Sequence, residues 1–334
     1  MIGFGTVGRS FAEILRERLD LLRLQHRFTV QVVAIVDRGG AMIDDKGIDL
    51  SGAASIRRLT GSVANHPTLG HKGDTALQVI ESAEADVLLE LTPTRFPDGQ
   101  PAVTHIESAF KKGLHVITTN KGPLSTAMPA LLELARYQGV QFRFSGTVAA
   151  GTQLLNYAKE CFVGNRIQSI TGILNGTTNY ILTRMWEVGA SMDESLEEAR
   201  KLGYAEADPS YDVNGMDTAS KLVILCNWVM GRSVSIRDVK MEGITQVSIS
   251  DIRRAKQDGN AVKLVALANE SEISVRPRPV SITDPMCVRG TLNAVVLKTE
   301  LAGEITIIGP GAGGMETASA ILSDLIDIKR TLTE

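Results

Sequence analysis

The chain opens Met1-Ile2-Gly3-Phe4-Gly5-Thr6-Val7-Gly8 and runs into a segment where Phe11, Ile14, Leu15, Leu19 and Leu22 recur at helical spacing. Three glycines at the entrance of an amphipathic helix constrain the fold more than any other feature of the sequence. One permits a tight turn, one lets a pyrophosphate approach the backbone, and one lets the helix lie close on a sheet. The helix N-terminus adds unpaired N–H donors and a dipole that favours an anion. Gly3, Gly5, Thr6, Val7 and Gly8 are therefore the expected phosphate cradle of a dinucleotide site.

The following segments strengthen that reading. Residues 30–36 (Val-Gln-Val-Val-Ala-Ile-Val) read as a strand ending in Asp37, where an acid can bind the adenosine ribose 2′-OH. Arg38 follows at once and can instead pair with a 2′-phosphate, so the two residues leave NAD against NADP open. Further strands are expected at 87–91, 116–119 and 140–144, with a helix over 102–112 that stops at Gly113. This alternation predicts an α/β fold built on a Rossmann-type, doubly wound parallel sheet, whose ligands bind beyond the strands' carboxyl ends. Thr92, Pro93 and Thr94 lie at one such end, and Thr119, Asn120 and Lys121 at another, so both turns are expected to face the cofactor. Only Met1 and Ile2 precede Gly3, whereas a first strand normally needs about five residues. The expectation is a start downstream of the natural one, with added apolar residues upstream raising the melting temperature and cofactor affinity.

Composition narrows the function classes. A length of 334 residues suggests two domains. Thirty-five basic against 38 acidic residues leave no polycation for a phosphate backbone, which argues against nucleic-acid partners. The longest apolar stretch, 223–230, is broken by Asn227 and is far short of the roughly 20 residues of a membrane span. No signal-peptide pattern opens the chain. Cys161, Cys226 and Cys287 fit neither a disulfide framework nor a zinc ribbon. The five histidines show no metal-ligand spacing. A soluble, cytoplasmic protein is expected.

In the second half, helix-period segments dominate from 180 to 230. Strand-like runs at 263–267, 273–276 and 294–298 predict a second, antiparallel or mixed sheet in an α+β domain. The densest chemistry lies at 203–221. Gly203 ends one helix, Pro209 blocks another, and a new helix starts near Met216 with Asn214 or Asp212 as its expected cap. Asp217 and Lys221 are then i and i+4 on one face. The turns beyond them (Leu222, Val223, Ile224, Leu225, Trp228, Val229) are apolar nearly all round. A charged pair heading such a helix points to proton transfer, because a buried lysine shifts readily toward its neutral form.

On these residues the chain resembles homoserine dehydrogenase along essentially its whole length. The most specific matches are Gly172-Ile173-Leu174-Asn175-Gly176-Thr177-Thr178-Asn179-Tyr180-Ile181-Leu182 and the 203–221 segment. The strand ends Glu90-Leu91-Thr92-Pro93-Thr94 and Thr119-Asn120-Lys121-Gly122-Pro123 match too, as does the tail Gly309-Pro310-Gly311-Ala312-Gly313. The resemblance implies reversible NAD(P)H-dependent reduction of L-aspartate 4-semialdehyde to L-homoserine. It implies a short form without the regulatory ACT or kinase modules of some relatives. Lys221 is the implied proton donor, supported by Asp217, with Lys121 completing the catalytic set. Gly176, Thr177, Tyr204, Glu206 and Asp212 are the implied substrate ligands, and Gly313 joins the cofactor set. A homodimer through the second domain is also implied, with the dinucleotide domain at 1–139 plus 305–334 and the catalytic and dimerisation domain at 140–304.

One departure concerns a cation. Ser145 stands where family members often carry a glutamate that helps hold sodium, and Gln153 replaces a common proline. Val148, Ala150 and Thr152 still offer carbonyls, but without the carboxylate at most a weak monovalent-cation effect is expected. The competing functional readings are an oxidoreductase for another amino-acid semialdehyde and a dinucleotide-responsive sensor without turnover. No cysteine is placed as the nucleophile that a phosphorylating semialdehyde dehydrogenase needs.

Overall fold

The computed structural model describes residues 1–332 and divides into two compact units. The first spans Met1–Thr147 and resumes at Gly313; the second is Val148–Ala312. These limits lie beyond 139/140 and 304/305 because the strand Phe142–Arg143 pairs within the first unit, whereas Glu304–Pro310 pairs within the second.

In the first unit α1 (Thr6–Gln25) buries Gly8, Phe11, Ala12, Leu15 and Leu22 along one face. The strands are β1 (Ala34–Asp37), β2 (Gly40–Ile43), β3 (Gly70–Lys72), β4 (Val87–Glu90), β5 (His115–Thr118) and β6 (Phe142–Arg143). β4, β5 and β6 form the parallel sheet, in that order. β1, β2 and β3 pair antiparallel instead. Of the apolar run 30–36 only its end is strand, because Asp37-Arg38-Gly39-Gly40 turns the chain back into a hairpin. Ile2 links the two groups, bridging in parallel to Val36 and to Glu90. Its N–H donates to the Leu89 carbonyl, and its own carbonyl accepts from Leu91. The Met1 ammonium donates to the Ala34 carbonyl at 2.7 Å, and burial pulls its pKa down to about 5. A cavity of about 700 Å³ continues from Met1 between residues 27–34 and 83–89.

Helices α2 (Leu50–Thr60), α3 (Ala76–Ser82), α4 (Ala102–Lys111) and α5 (Lys121–Tyr137) complete this unit with the C-terminal helix, Gly314–Thr331. That helix packs Ala318, Ile321, Leu325 and Ile328 against Phe11, Leu15 and Leu22 of α1, and Leu89, Leu91 and Ile117 share the same core. Burying each of the leucine, isoleucine and phenylalanine side chains among these contributes about 1.5–3 kcal/mol.

The second unit contains α6 (Leu154–Cys161), β7 (Ile167–Ile173), α7 (Gly176–Val188), α8 (Met192–Lys201), α9 (Ser210–Val213), α10 (Met216–Trp228), β8 (Lys240–Met241), α11 (Ile249–Gln257), β9 (Asn260–Ala268), β10 (Ile273–Ser281), β11 (Leu292–Thr299) and β12 (Glu304–Pro310). The strands form one mixed sheet in the order β12-β11-β7-β9-β10-β8, antiparallel except between β10 and β8. α10 is buried from Thr218 to Asn227, as its all-round apolar sequence demands. Its N-cap is Gly215, in the left-handed region at φ 85°, and not Asn214 or Asp212. The Asp212 carboxylate is engaged by Asn175. Cys226 lies inside α10, where burial pushes its thiol up to about 12, so it is inert at neutral pH.

Candidate active site

Within the second unit, the i, i+4 spacing of α10 brings the Lys221 Nζ to 2.7 Å from Asp217 Oδ2. Lys221 is only 6% exposed, and its ammonium also donates to the Leu174 carbonyl at 2.6 Å. Leu174 and Asn175 form the turn between β7 and α7. The Asn175 Oδ1 caps α7 by accepting from the Thr178 N–H at 2.8 Å. Its Nδ2 donates to Asp212 Oδ1 at 2.7 Å and to Asp217 Oδ2 at 2.8 Å. One amide thus spans two carboxylates, one of which holds the lysine. Burial, and then the Asp217 charge, raise the Asp212 pKa, while the bond from Asn175 pulls it back. Asn175 lies outside the site residues expected from the sequence; a capping asparagine before Gly176 is the signal that points to it.

The other expected substrate residues gather around the same turn. Gly176 and Thr177 begin α7, and the Thr177 hydroxyl donates to the Tyr204 carbonyl at 2.7 Å. The Tyr204 ring lies 5.0 Å from that of Tyr180. Tyr204 and Glu206 are exposed, on the loop between α8 and α9. An exposed carboxylate, a half-buried acid and a buried ammonium can receive an amino acid and move one proton.

In the first unit, Gly5 is the N-cap of α1 and no side chain caps it. The first α1 donor with an internal partner is Arg9, to the Gly5 carbonyl, so the entrance presents Thr6, Val7 and Gly8. A Cβ on Gly8 would stand 2.7 Å from the Gly3 carbonyl oxygen, whereas one on Gly5 would meet nothing within 4 Å. The first glycine is demanded by packing, and the second leaves open space for a pyrophosphate; the cradle fits a dinucleotide.

The two strand-end turns come together beside it. The Asn120 Nδ2 donates to the Thr92 Oγ1 at 3.2 Å and to the Pro93 carbonyl at 3.3 Å. The Lys121 N–H donates to the Thr94 Oγ1 at 3.2 Å. Beneath them lies the fully buried Glu90, which accepts from the Thr92 hydroxyl and, at 3.3 Å, from the Thr118 hydroxyl. Gly313 is the N-cap of the C-terminal helix.

Asp37 and Arg38 are placed very differently. Asp37 Oδ1 accepts from the Ser62 hydroxyl at 2.6 Å and the Gly39 N–H at 2.9 Å. Its Oδ2 accepts from the Val63 N–H at 2.9 Å and lies 3.3 Å from the Arg57 Nε. The carboxylate is therefore turned into the protein and occupied on both oxygens. Arg38 is exposed.

The cation donors fit poorly. The Ser145 hydroxyl and N–H both donate to the buried Asp324, at 2.6 and 2.9 Å. The Ala150 carbonyl accepts from Gln153. Carbonyls of Val148, Ala150 and Thr152 alone fall short of the oxygen shell of a hard cation. Among the described residues, no group of three or more His, Cys, Asp or Glu side chains could hold a metal ion, and no helix is long and apolar enough to cross a membrane.

An open glycine-rich helix entrance beyond a parallel sheet, with a buried lysine–carboxylate pair, defines a dinucleotide-dependent oxidoreductase. Residues 3–145 match the homoserine dehydrogenase NAD-binding domain, and residues 154–326 match the homoserine dehydrogenase domain. The chain belongs to the homoserine dehydrogenase family. It is 43% identical over 98% of its length to the homoserine dehydrogenase of Methanocaldococcus jannaschii, of which it covers 97%. It is 37% identical, over 100% of this chain and 96% of the other, to the NAD(+)-dependent homoserine dehydrogenase of Pseudomonas canavaninivorans. Among solved structures, a hyperthermophilic archaeal homoserine dehydrogenase in complex with NADPH superposes with a TM-score of 0.86 at 32% identity, covering 100% of this chain and 97% of that one.

Proposed function

We propose that this chain interconverts L-homoserine and L-aspartate 4-semialdehyde with NAD(P)(H), using Lys221 as the acid–base group. The observation that carries the reading is the Lys221 ammonium, buried and held by both Asp217 and the Leu174 carbonyl. The reduced cofactor, when bound, supplies the hydride for the aldehyde carbon. As that carbon is reduced, negative charge builds on the oxygen, and Lys221 offers it both a positive charge and a proton. Two of the three ammonium N–H groups are directed by Leu174 and Asp217, and the third is left for the substrate oxygen. In the oxidative direction the same nitrogen takes the hydroxyl proton.

Glu206 and Asp212 suit the substrate ammonium as charge-assisted partners. Tyr204 and the Gly176-Thr177 turn supply hydrogen bonds for its carboxylate, and Lys121 is assigned to the catalytic set. The Asp37 and Arg38 geometry favours NADP(H), with Arg38 as the reader of the 2′-phosphate. The first unit is assigned to the dinucleotide, and the second to catalysis and homodimer formation, in a cytoplasmic enzyme. The test is absorbance at the nicotinamide band with L-homoserine and NAD or NADP, for wild type and Lys221→Ala. Turnover that Lys221→Ala abolishes supports the reading; a wild type that binds dinucleotide without reducing it overturns it.

A further inference from the structure

The described residues include a second buried lysine, one that the mechanism above does not use. Lys263, on β9, is 1% exposed. Its ammonium donates to three neutral oxygens: Asn179 Oδ1 at 2.7 Å, Thr183 Oγ1 at 3.1 Å and the Val288 carbonyl at 2.7 Å. An ammonium buried among neutral acceptors costs stability that a well-packed apolar side chain of similar volume would not.

What it holds explains its presence. Asn175, Asn179 and Thr183 are spaced four apart and lie along one face of α7. The lower two accept from Lys263. At the top, Asn175 holds Asp212 and Asp217. Asn179 links the two ends, because its N–H donates to the Asn175 carbonyl at 3.1 Å and its Nδ2 to the Leu292 carbonyl at 3.0 Å. With Oδ1 drawn to the ammonium, the Asn179 amide has only one orientation.

We propose that Lys263 is a positioning residue for the substrate site, its charge fixing the α7 polar ladder whose upper end sets the Asp217–Lys221 pair. This rests on the reaction proposed above and adds a residue that does not touch the substrate. Burial draws the Lys263 pKa down to about 8, with Arg289 lowering it and Cys287 and Glu187 raising it. Loss of that proton removes one donor from the ladder, so substrate turnover declines above that pH.

The test compares wild type with Lys263→Met and Asn179→Asp. In Lys263→Met, kcat/KM for L-homoserine falls about 10- to 100-fold, as expected for a misplaced acid–base group. Dinucleotide Kd stays close to wild type, and the alkaline limb near pH 8 disappears. Asn179→Asp places a carboxylate against the ammonium and moves that limb upward by about one pH unit or more. A Lys263→Met enzyme with unchanged kcat/KM overturns the proposal. So does an Asn179→Asp enzyme with an unmoved limb, which decides the matter if Lys263→Met does not fold. Amide exchange at 178–180 is read without turnover, and is faster in Lys263→Met if the ladder is held as described. Should wild type fail to oxidise L-homoserine, the proposed reaction falls, and unchanged exchange at those amides then overturns the role of Lys263.

Discussion

Asn175 Nδ2 bonds Asp212 and Asp217 at once, at 2.7 and 2.8 Å, so one side-chain amide sets the spacing of two carboxylates that would otherwise repel. Asp217 in turn holds Lys221 at 2.7 Å. Asp217 thereby orients the lysine that the proposed reaction uses.

Replacing Asp217 by Asn preserves shape and removes the charge. The expected result is a loss of about 10²-fold in kcat with dinucleotide affinity unchanged, read by steady-state kinetics and by cofactor fluorescence titration.

Asp212 governs the acid side. Burial and Asp217 raise its pKa above the ordinary 3.8, and Asn175 opposes the rise. In the proposed reaction its ionised form receives the substrate ammonium, so kcat/KM for L-homoserine is expected to fall as pH drops through the raised value. In Asn175→Ala the limb moves to higher pH, and loss of the α7 cap costs about 1 kcal/mol. The folded state holds this proton more tightly than the unfolded chain does. Asp212 therefore adds stability below its ordinary pKa, and that contribution is lost as pH rises through the folded value. Urea unfolding of wild type and Asp212→Asn between pH 3 and 7 checks the sign.

How much of this was legible in the sequence depends on how local the physics is. The glycine entrance of α1 and the Asp217/Lys221 spacing are short-range demands, and both are visible in a few residues. Asn175 is different: its partners lie 37 and 42 residues away, so nothing nearby reveals that it does more than cap a helix. The apolar run 30–36 suggests one long buried strand, yet the Gly39-Gly40 turn starts a hairpin after Asp37. That dipeptide was a readable turn signal that the hydrophobic pattern outweighed. Asp37 reads as a ribose ligand from its place at a strand end, whereas its bonds from Ser62 and Val63, 25 and 26 residues on, are visible only in the fold.

The proposed preference for NADP(H) rests on those bonds to Asp37 and on the exposed Arg38. NADP is expected to bind about tenfold more tightly than NAD, and Arg38→Ala to remove the difference by weakening NADP alone. Fluorescence titration of both dinucleotides checks this; equal weakening of the two would show that Arg38 does not read the 2′-phosphate.

Four alternating apolar residues joined to Met1 would continue the bridging pattern of Ile2 into the cavity between residues 27–34 and 83–89. The melting temperature is expected to rise by about 4 °C or more, measured by calorimetry against a polar extension of equal length.

Ser145 brings no carboxylate of its own and is committed to Asp324. Replacing sodium by choline at constant ionic strength should change kcat by less than about twofold.

The Ser62 hydroxyl, 2.6 Å from Asp37, gives the proposed coenzyme preference an unexpected address. Anyone redesigning this chain to run on NAD would edit the residue that restrains the acid before the arginine that faces solvent. A Ser62→Ala change beside an intact Arg38 leaves Asp37 Oδ1 with the Gly39 N–H alone and frees one of its acceptor positions for a ribose hydroxyl, making a dual-specificity enzyme the natural halfway stage between the two coenzymes.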